Sequence, residues 1–183
     1  MSNEDLDEAH VSDGLSLPFA NAAFDYVYSD WTVEHIEKPV PFLMEIRRVL
    51  KPRGEFFFRT TNRTHYVTLV AANTPHWFHK LLANRVRDLT SEDHEPWPTY
   101  YRMNRPPVVR RNLAAAGFND IQVELIEPYP VYLVFNPIAF RLGIAYERVV
   151  NRWMWSSRFR LILIARARAG QFARATSAVR ASP

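Results

Sequence analysis

Apolar positions along the chain change period several times, and each change marks an element. Between Pro39 and Leu50, residues Phe42, Leu43, Ile46, Val49 and Leu50 form one stripe, with Glu45, Arg47 and Arg48 off it. That spacing predicts an amphipathic helix. Its prolines sit in the first turn, where a missing N–H costs little, and Lys51-Pro52-Arg53-Gly54 stops it. Glu55–Thr60 is a nearly continuous apolar run, the pattern of a buried parallel strand. Ahead of the helix, Phe24–Ser29 reads as a strand. Residues 8–12 (EAHVS) read as a short strand ending at Asp13-Gly14, with a turn-rich loop over 13–23. Beyond it, Pro107–Ala116 predicts a helix ended by Gly117, and Ile121–Ile126 alternates as a strand. Pro137–Trp155 predicts a helix with Leu142, Ala145, Tyr146, Val149, Val150 and Trp153 on one stripe and Arg141, Arg148 and Arg152 off it. Phe159–Arg168 is the final strand.

Alternating strands and helices predict an α/β fold with parallel strands. Ligands in such sheets bind beyond the carboxyl ends of the strands. Asp13, Ser29–His35 and the residues from Thr61 onward are therefore the positions to watch. Residues 61–105 break the rhythm and carry four of the six histidines. An excursion of that length in a compact domain reads as a functional cap, with a helix expected near 76–88. From Gly170 the chain is rich in Ala, Arg and Ser and reads as a disordered tail.

Composition narrows the chemistry. The 183 residues are 48% hydrophobic and 23% charged, enough for one globular core. No cysteine is present, which excludes a disulfide scaffold, a thiolate zinc site, an iron–sulfur cluster and a cysteine nucleophile. The uncharged stretches Tyr66–His79 and Pro128–Phe140 contain proline and fall short of the roughly 20 apolar residues of a spanning helix. The first ten residues, MSNEDLDEAH, are acidic and carry no signal-peptide pattern, so the default expectation is the cytoplasm.

Charge is uneven. Residues 1–50 hold ten acids and three bases, and residues 51–183 hold nine acids and twenty bases. Arginine supplies twenty of the 23 bases, which raises nucleic acid or an anionic membrane surface as partners. The plainer alternative is a solvated basic face. No helix-turn-helix, zinc-finger or RNP-type signature supports nucleic acid. The stretch Pro128–Phe140, followed by the arginine-bearing helix, would suit peripheral membrane contact or a lipid substrate. The alternative there is that the helix stripe packs on the sheet.

Several runs resemble one family. Asp13-Gly14-Leu15-Ser16-Leu17-Pro18-Phe19, then Phe24-Asp25-Tyr26-Val27, then Glu34-His35-Ile36 resemble class I S-adenosylmethionine-dependent methyltransferases of the type-11 group. The run Phe42-Leu43-x-Glu45-Ile46-x-Arg48-Val49-Leu50-Lys51-Pro52-x-Gly54 is similar to that family's helix and turn before its fifth strand, and Ala115-Ala116-Gly117-Phe118 also matches. Family members open with a strand and a glycine-rich GxGxG loop. Here glycine stands only at 14, 54, 117, 143 and 170, and no GxG occurs. The resemblance therefore implies a Rossmann-like methyltransferase sheet, N-terminally truncated, with a cap insertion at 61–105 and an antiparallel final strand. It implies a partial domain over 1–169 and a tail over 170–183. From the family's strand order 3-2-1-4-5-7-6, the expected remainder is a four-stranded core of 24–29, 55–60, 121–126 and 159–168. Strand 24–29 is then left with an unpaired, aromatic-rich edge, open to self-association or a partner chain. Either 8–12 pairs there or something else does.

The resemblance also implies the site. S-adenosylmethionine is the implied cofactor. Asp13 matches the acid that accepts a hydrogen bond from the adenine amino group, and Gly14 and Leu15 shape that pocket. The alternative for Asp13 is an Asp-Gly turn. Ser29, Asp30 and Trp31 follow the strand at which cofactor meets substrate, and the alternative for Trp31 is plain core. His35 is the candidate catalytic residue, since imidazole can take a proton from an acceptor hydroxyl as the methyl group transfers. The alternative is a histidine packed against its loop. His65, Tyr66, Tyr101 and Arg102 of the cap are candidate substrate-binding residues. No metal is expected, because the His76-x-x-His79 spacing with Asp93-His94 is generic.

Three functions compete. The first is methyl transfer to a small-molecule acceptor, lipid-like among the options. The second is a non-catalytic truncated remnant or partner subunit of a methyltransferase. The third is a basic module that binds a membrane or nucleic-acid surface.

Overall fold

A computed structural model describes residues 7–73, 98–130 and 133–170 of the chain. Four strands form one sheet: β1 (Phe24–Asp30), β2 (Leu50–Thr61), β3 (Phe118–Ile126) and β4 (Ile162–Ala169). Their spatial order is β1-β2-β4-β3. β1 and β2 run parallel, and β4 runs antiparallel to both of its neighbours. This is the four-stranded core expected from the sequence, antiparallel last strand included.

Helix α1 (Pro39–Val49) makes the crossover from β1 to β2. A parallel pair needs such a connection, because a hairpin cannot reach from one strand's end to the other's start. Helix α3 (Pro106–Ala115) precedes β3, and both helices cover one face of the sheet. The short helix α2 (Tyr66–Asn73) follows β2, and helix α4 (Pro137–Arg152) follows β3. The core lies under α1 and α3. Phe56 and Phe58 of β2 meet Leu43 and Ile46 of α1, Val109 and Leu113 of α3, and Leu163, Ala165 and Ala167 of β4. Arg47 fastens the helix layer to the sheet, its guanidinium donating to the carbonyls of Gly117 and Gly170, each at 3.0 Å.

Strand alternation sends Tyr26, Tyr28 and Asp30 to the opposite face, opposite Glu55, Phe57 and Arg59 of β2. Arg166 and Arg168 of β4 are exposed on that side. Among the described residues β1 pairs only with β2, so its outer edge is open.

Several expectations are corrected. Residues 8–12 form no strand and do not pair with β1; Val11 is fully exposed. A strand of that length is not stable without a partner. β2 starts at Leu50 rather than Glu55, because Arg53 adopts a left-handed φ of 70° and Lys51–Gly54 folds into the strand as an irregularity rather than a separate turn. α4 ends at Arg152. Trp153 is extended, and Met154–Phe159 winds into a 3-10 helix, so β4 begins at Ile162 rather than Phe159. Of the predicted α4 stripe, Val150 is buried and Tyr146 half-buried, whereas Leu142, Ala145, Val149 and Trp153 are exposed. The expected helix at 76–88, with His76, His79 and Asp93-His94, and the tail beyond Gly170 lie outside the described residues.

Candidate functional site

The carboxyl ends of β1 and β2 gather most of the residues picked out in the sequence. Asp13 closes an Asx turn, its Oδ1 accepting from Leu15 N at 2.8 Å and Ser16 N at 3.3 Å. Gly14 has φ +75°, and a Cβ there would come within 3.0 Å of the Phe42 ring. Phe42 lies in the first turn of α1, so the Asp13–Leu15 turn sits at the edge of the sheet where β1 ends. From there the loop runs down α1: Leu17 N donates to Glu45 at 2.7 Å, and Ala22 N donates to the Arg48 carbonyl at 2.9 Å.

Ser29 points into the core, and its hydroxyl is buried with no hydrogen-bond partner. Asp30 faces the other way and is held by Arg59 in a two-point ion pair, with Nη2 2.7 Å from Oδ2 and Nε on Oδ1. Strand register causes this, since Asp30 stands directly opposite Arg59. The guanidinium lowers the Asp30 carboxyl below its usual range against the opposing effect of desolvation. It also lies over the Trp31 ring, 5.5 Å from its centre. Trp31 takes φ 49°, a left-handed backbone that turns the chain sharply off β1.

Val33–His35 then forms one 3-10 turn. Glu34 is buried, and its Oε2 accepts from Thr60 Oγ1 at 2.6 Å; Asn104 donates to the same hydroxyl at 2.8 Å. The Glu34 carbonyl accepts from the backbone N–H groups of Tyr100 and Tyr101. His35 Nδ1 lies 2.9 Å from the Pro98 carbonyl. A carbonyl only accepts, so that contact puts the ring proton on Nδ1 and leaves Nε2 with its lone pair. Residues 98–102 are thus laced across the turn that carries His35. Arg102 lies 3.7 Å from Glu37 and over the Tyr100 ring.

His65 and Tyr66, the other two cap candidates, go elsewhere. His65 is fully buried, with Nε2 3.3 Å from Oε1 of buried Glu127, although the two atoms are not aligned for a hydrogen bond. Its Nδ1 accepts from Val67 N at 3.2 Å, and Glu127 Oε2 accepts from Leu161 N at 2.7 Å. Tyr66 stacks edge-on against Tyr146 of α4. The Tyr146 hydroxyl donates to the Phe159 carbonyl at 2.7 Å, and burial, then the Glu127 charge, raises its pKa. This cluster ties the ends of β2 and β3 to the start of β4, with His65 and Glu127 buried within it. Arg59, the Pro98 carbonyl and Glu127 carried no local motif. The register of Asp30 against Arg59 was the one signal available, and it needs the sheet to be read.

Residues 2–58 match the family model described as a methyltransferase domain. The matched segment contains Asp13, Ser29–Trp31 and His35, the residues placed at the carboxyl end of β1. No curated protein matches the chain. Among solved structures, a SAM-dependent methyltransferase from Thermotoga maritima is 14% identical, with 86% of this chain and 61% of that chain covered and a TM-score of 0.49. Phosphoethanolamine N-methyltransferase 2 of Haemonchus contortus, solved with S-adenosyl-L-methionine, is 18% identical, with 87% and 36% covered and a TM-score of 0.47. A SAM-dependent methyltransferase from Methanosarcina mazei is 16% identical, with 88% and 66% covered and a TM-score of 0.44. The chain spans less than two thirds of each of these.

An open hollow of about 830 Å³ lies at the other end of the sheet, lined by Arg53, Glu55, Asn119, Asp120 and Arg168. Its acids are paired: Glu55 binds Arg166 and Arg168, and Asp120 lies 3.6 Å from Arg168. It sits at the amino end of β2, away from the edge where α/β sheets take ligands, and is not the candidate site.

Three carboxylates, Asp30, Glu45 and Glu55, are each held low by an arginine hydrogen bond as the largest cause. A depressed carboxyl stabilises the fold above its unfolded pKa and loses that contribution as pH falls through the folded one. Thermal midpoints are therefore expected to hold down to about pH 4 and to fall below it. Arg59→Gln should flatten that fall. A midpoint that rises on acidification would contradict the ion-pair geometry.

Proposed function

We propose that this chain carries the adenosine side and the proton-accepting side of an S-adenosylmethionine-dependent methyltransferase site, acting on a small-molecule acceptor. The observation that carries this reading is the placement of the methyltransferase segment's Asp13 turn, Ser29–Trp31 and His35 on one edge of a sheet ordered β1-β2-β4-β3. That order is the family's 4-5-7-6.

The residues present fit one flank of the cofactor. Asp13 keeps Oδ2 outside its turn contacts, Gly14 leaves room that a Cβ would fill, and Ser29 offers a buried hydroxyl without a partner. The glycine-rich backbone that would take the methionine side is not in this sequence. When bound, the cofactor supplies an electrophilic sulfonium methyl group. The chain's own residues would do the rest. Asp13 would accept from the adenine amino group, and Trp31, braced by Arg59, would wall the crevice. His35 Nε2 would take the acceptor's proton while Pro98 fixes the ring from the other nitrogen. Tyr101 and Arg102, held over this turn, would orient the acceptor. The open edge of β1 is where strands completing the cofactor site would pair, from a partner chain or another copy.

The test is calorimetric titration of the purified chain with S-adenosylhomocysteine. Micromolar binding that Asp13→Ala abolishes is expected. Absence of binding at millimolar ligand would overturn a self-sufficient half-site and favour a non-catalytic partner subunit.

A further inference from the structure

The outward face of α4 is built in a way that packing on the sheet cannot explain. Ile138, Leu142, Ala145 and Val149 recur at steps of four, three and four, so they form one stripe along the helix. That stripe points to solvent: Ile138 is 71% and Leu142 67% exposed. It runs on into Trp153, Met154 and Trp155. The two indoles stack with centres 6.1 Å apart, and Met154 between them is 92% exposed. Arg141, Arg148 and Arg152 repeat one position away from the stripe, and all three are exposed. Between Pro128 and Arg160 five arginines stand against one acid, Glu147.

We infer that this face docks on an anionic lipid surface, with the α4 stripe and the Trp153–Trp155 turn entering the headgroup boundary and the three arginines meeting lipid phosphates and carboxylates. The charge and the aromatic type decide for this occupant. A protein-covered helix stripe is apolar at its centre and poor in charge. Here a full row of cations lies beside the apolar row, with tryptophans at one end, the composition of helices that lie in the membrane interface. Arginine suits the headgroup layer because its stem can lie along apolar surface while its guanidinium binds phosphate. Below the helix the face is firmly supported. Asn136 caps α4 by accepting from Ile138 N and Ala139 N, and Gly143 sits against Leu133 and Pro130 too closely for any Cβ. The exposed stripe is therefore a fixed surface of the fold. Among the described residues no helix is long and apolar enough to cross a membrane, and docking of this kind needs none.

The test is co-sedimentation of the full chain with vesicles of phosphatidylcholine and phosphatidylserine, against phosphatidylcholine alone, over a salt series. Binding to the anionic vesicles is expected, weakening as salt rises. Tryptophan emission should shift to the blue. Replacing Arg141, Arg148 and Arg152 together with Gln should weaken binding about 100-fold. Trp153→Ser with Trp155→Ser should remove the blue shift while circular dichroism and the thermal midpoint stay as in the parent. Failure to bind anionic vesicles overturns the inference. So does a dimer, seen by light scattering, that the same tryptophan substitutions dissociate, since the face would then join two copies. These readouts do not depend on S-adenosylhomocysteine binding, so they stand or fall apart from the methyltransferase reading.

Discussion

Glu127→Ala is expected to destabilise the fold by about 3 kcal/mol, measured by urea unfolding. The carboxylate sits in a fully closed site. One oxygen accepts from Leu161 N at 2.7 Å, and the other lies 3.3 Å from His65 Nε2. Alanine removes both carboxylate oxygens at once. The Leu161 N–H then loses its acceptor, and His65 Nε2 stays buried with no carboxylate beside it, while Nδ1 keeps its contact with Val67 N. Removing one member of a buried polar pair is costly, whereas replacing both with apolar groups of similar volume is often near neutral. The double variant His65→Leu with Glu127→Met should therefore recover most of the lost stability. A single variant within about 0.5 kcal/mol of the parent would show that the contact is incidental. The position of the pair gives it this weight. Glu127 ends β3, His65 begins the turn into α2, and Leu161 leads into β4.

On the proposed methyltransferase reading, His35→Ala is expected to lower turnover about 100-fold, followed as release of S-adenosylhomocysteine. Each methyl transfer to a hydroxyl must shed a proton, and the Nε2 lone pair is the free basic group that the 3-10 turn presents. Affinity for S-adenosylhomocysteine should stay unchanged, since the cofactor contacts proposed above lie at Asp13 and Ser29–Trp31. Unchanged turnover would remove His35 from the mechanism and leave it as a peg for Pro98. Turnover and cofactor affinity lost together would place it in binding instead.

The sequence made the elements with strong periodic signals legible. The α1 stripe, the apolar run in β2 and the alternation in β3 each stated both their type and the face they bury, and the structure places them so. Other features needed neighbours that a local pattern does not contain. Residues 8–12 have strand composition but no strand beside them. The run Lys51–Gly54 looks like a stop signal, yet Arg53 in a left-handed conformation lets the ladder begin at Leu50. The α4 stripe has the period of a core helix, and only the fold reveals that Leu142, Ala145 and Val149 face outward while Val150 is buried. At the candidate site, Asp13, Asp30, Trp31 and His35 stand around the carboxyl end of β1. His65 and Tyr66 did not join them, because proximity in sequence to a cap says nothing about burial beside Glu127. Arg59 was invisible as a site residue until the β1–β2 register set it against Asp30.

The strand order carries a consequence for how the chain comes into being. β4, the latest in the chain of the described strands, lies between β2 and β3 and pairs with both along its length. On the ribosome, β1, α1 and β2 can assemble as they emerge, but β3 has no ladder to join until residues 162–169 leave the exit tunnel. The sheet therefore closes from the centre in a final step, like a keystone set after the arch is raised. Premature termination upstream of Ile162 would remove the strand that joins β2 to β3 and leave those two without a shared ladder.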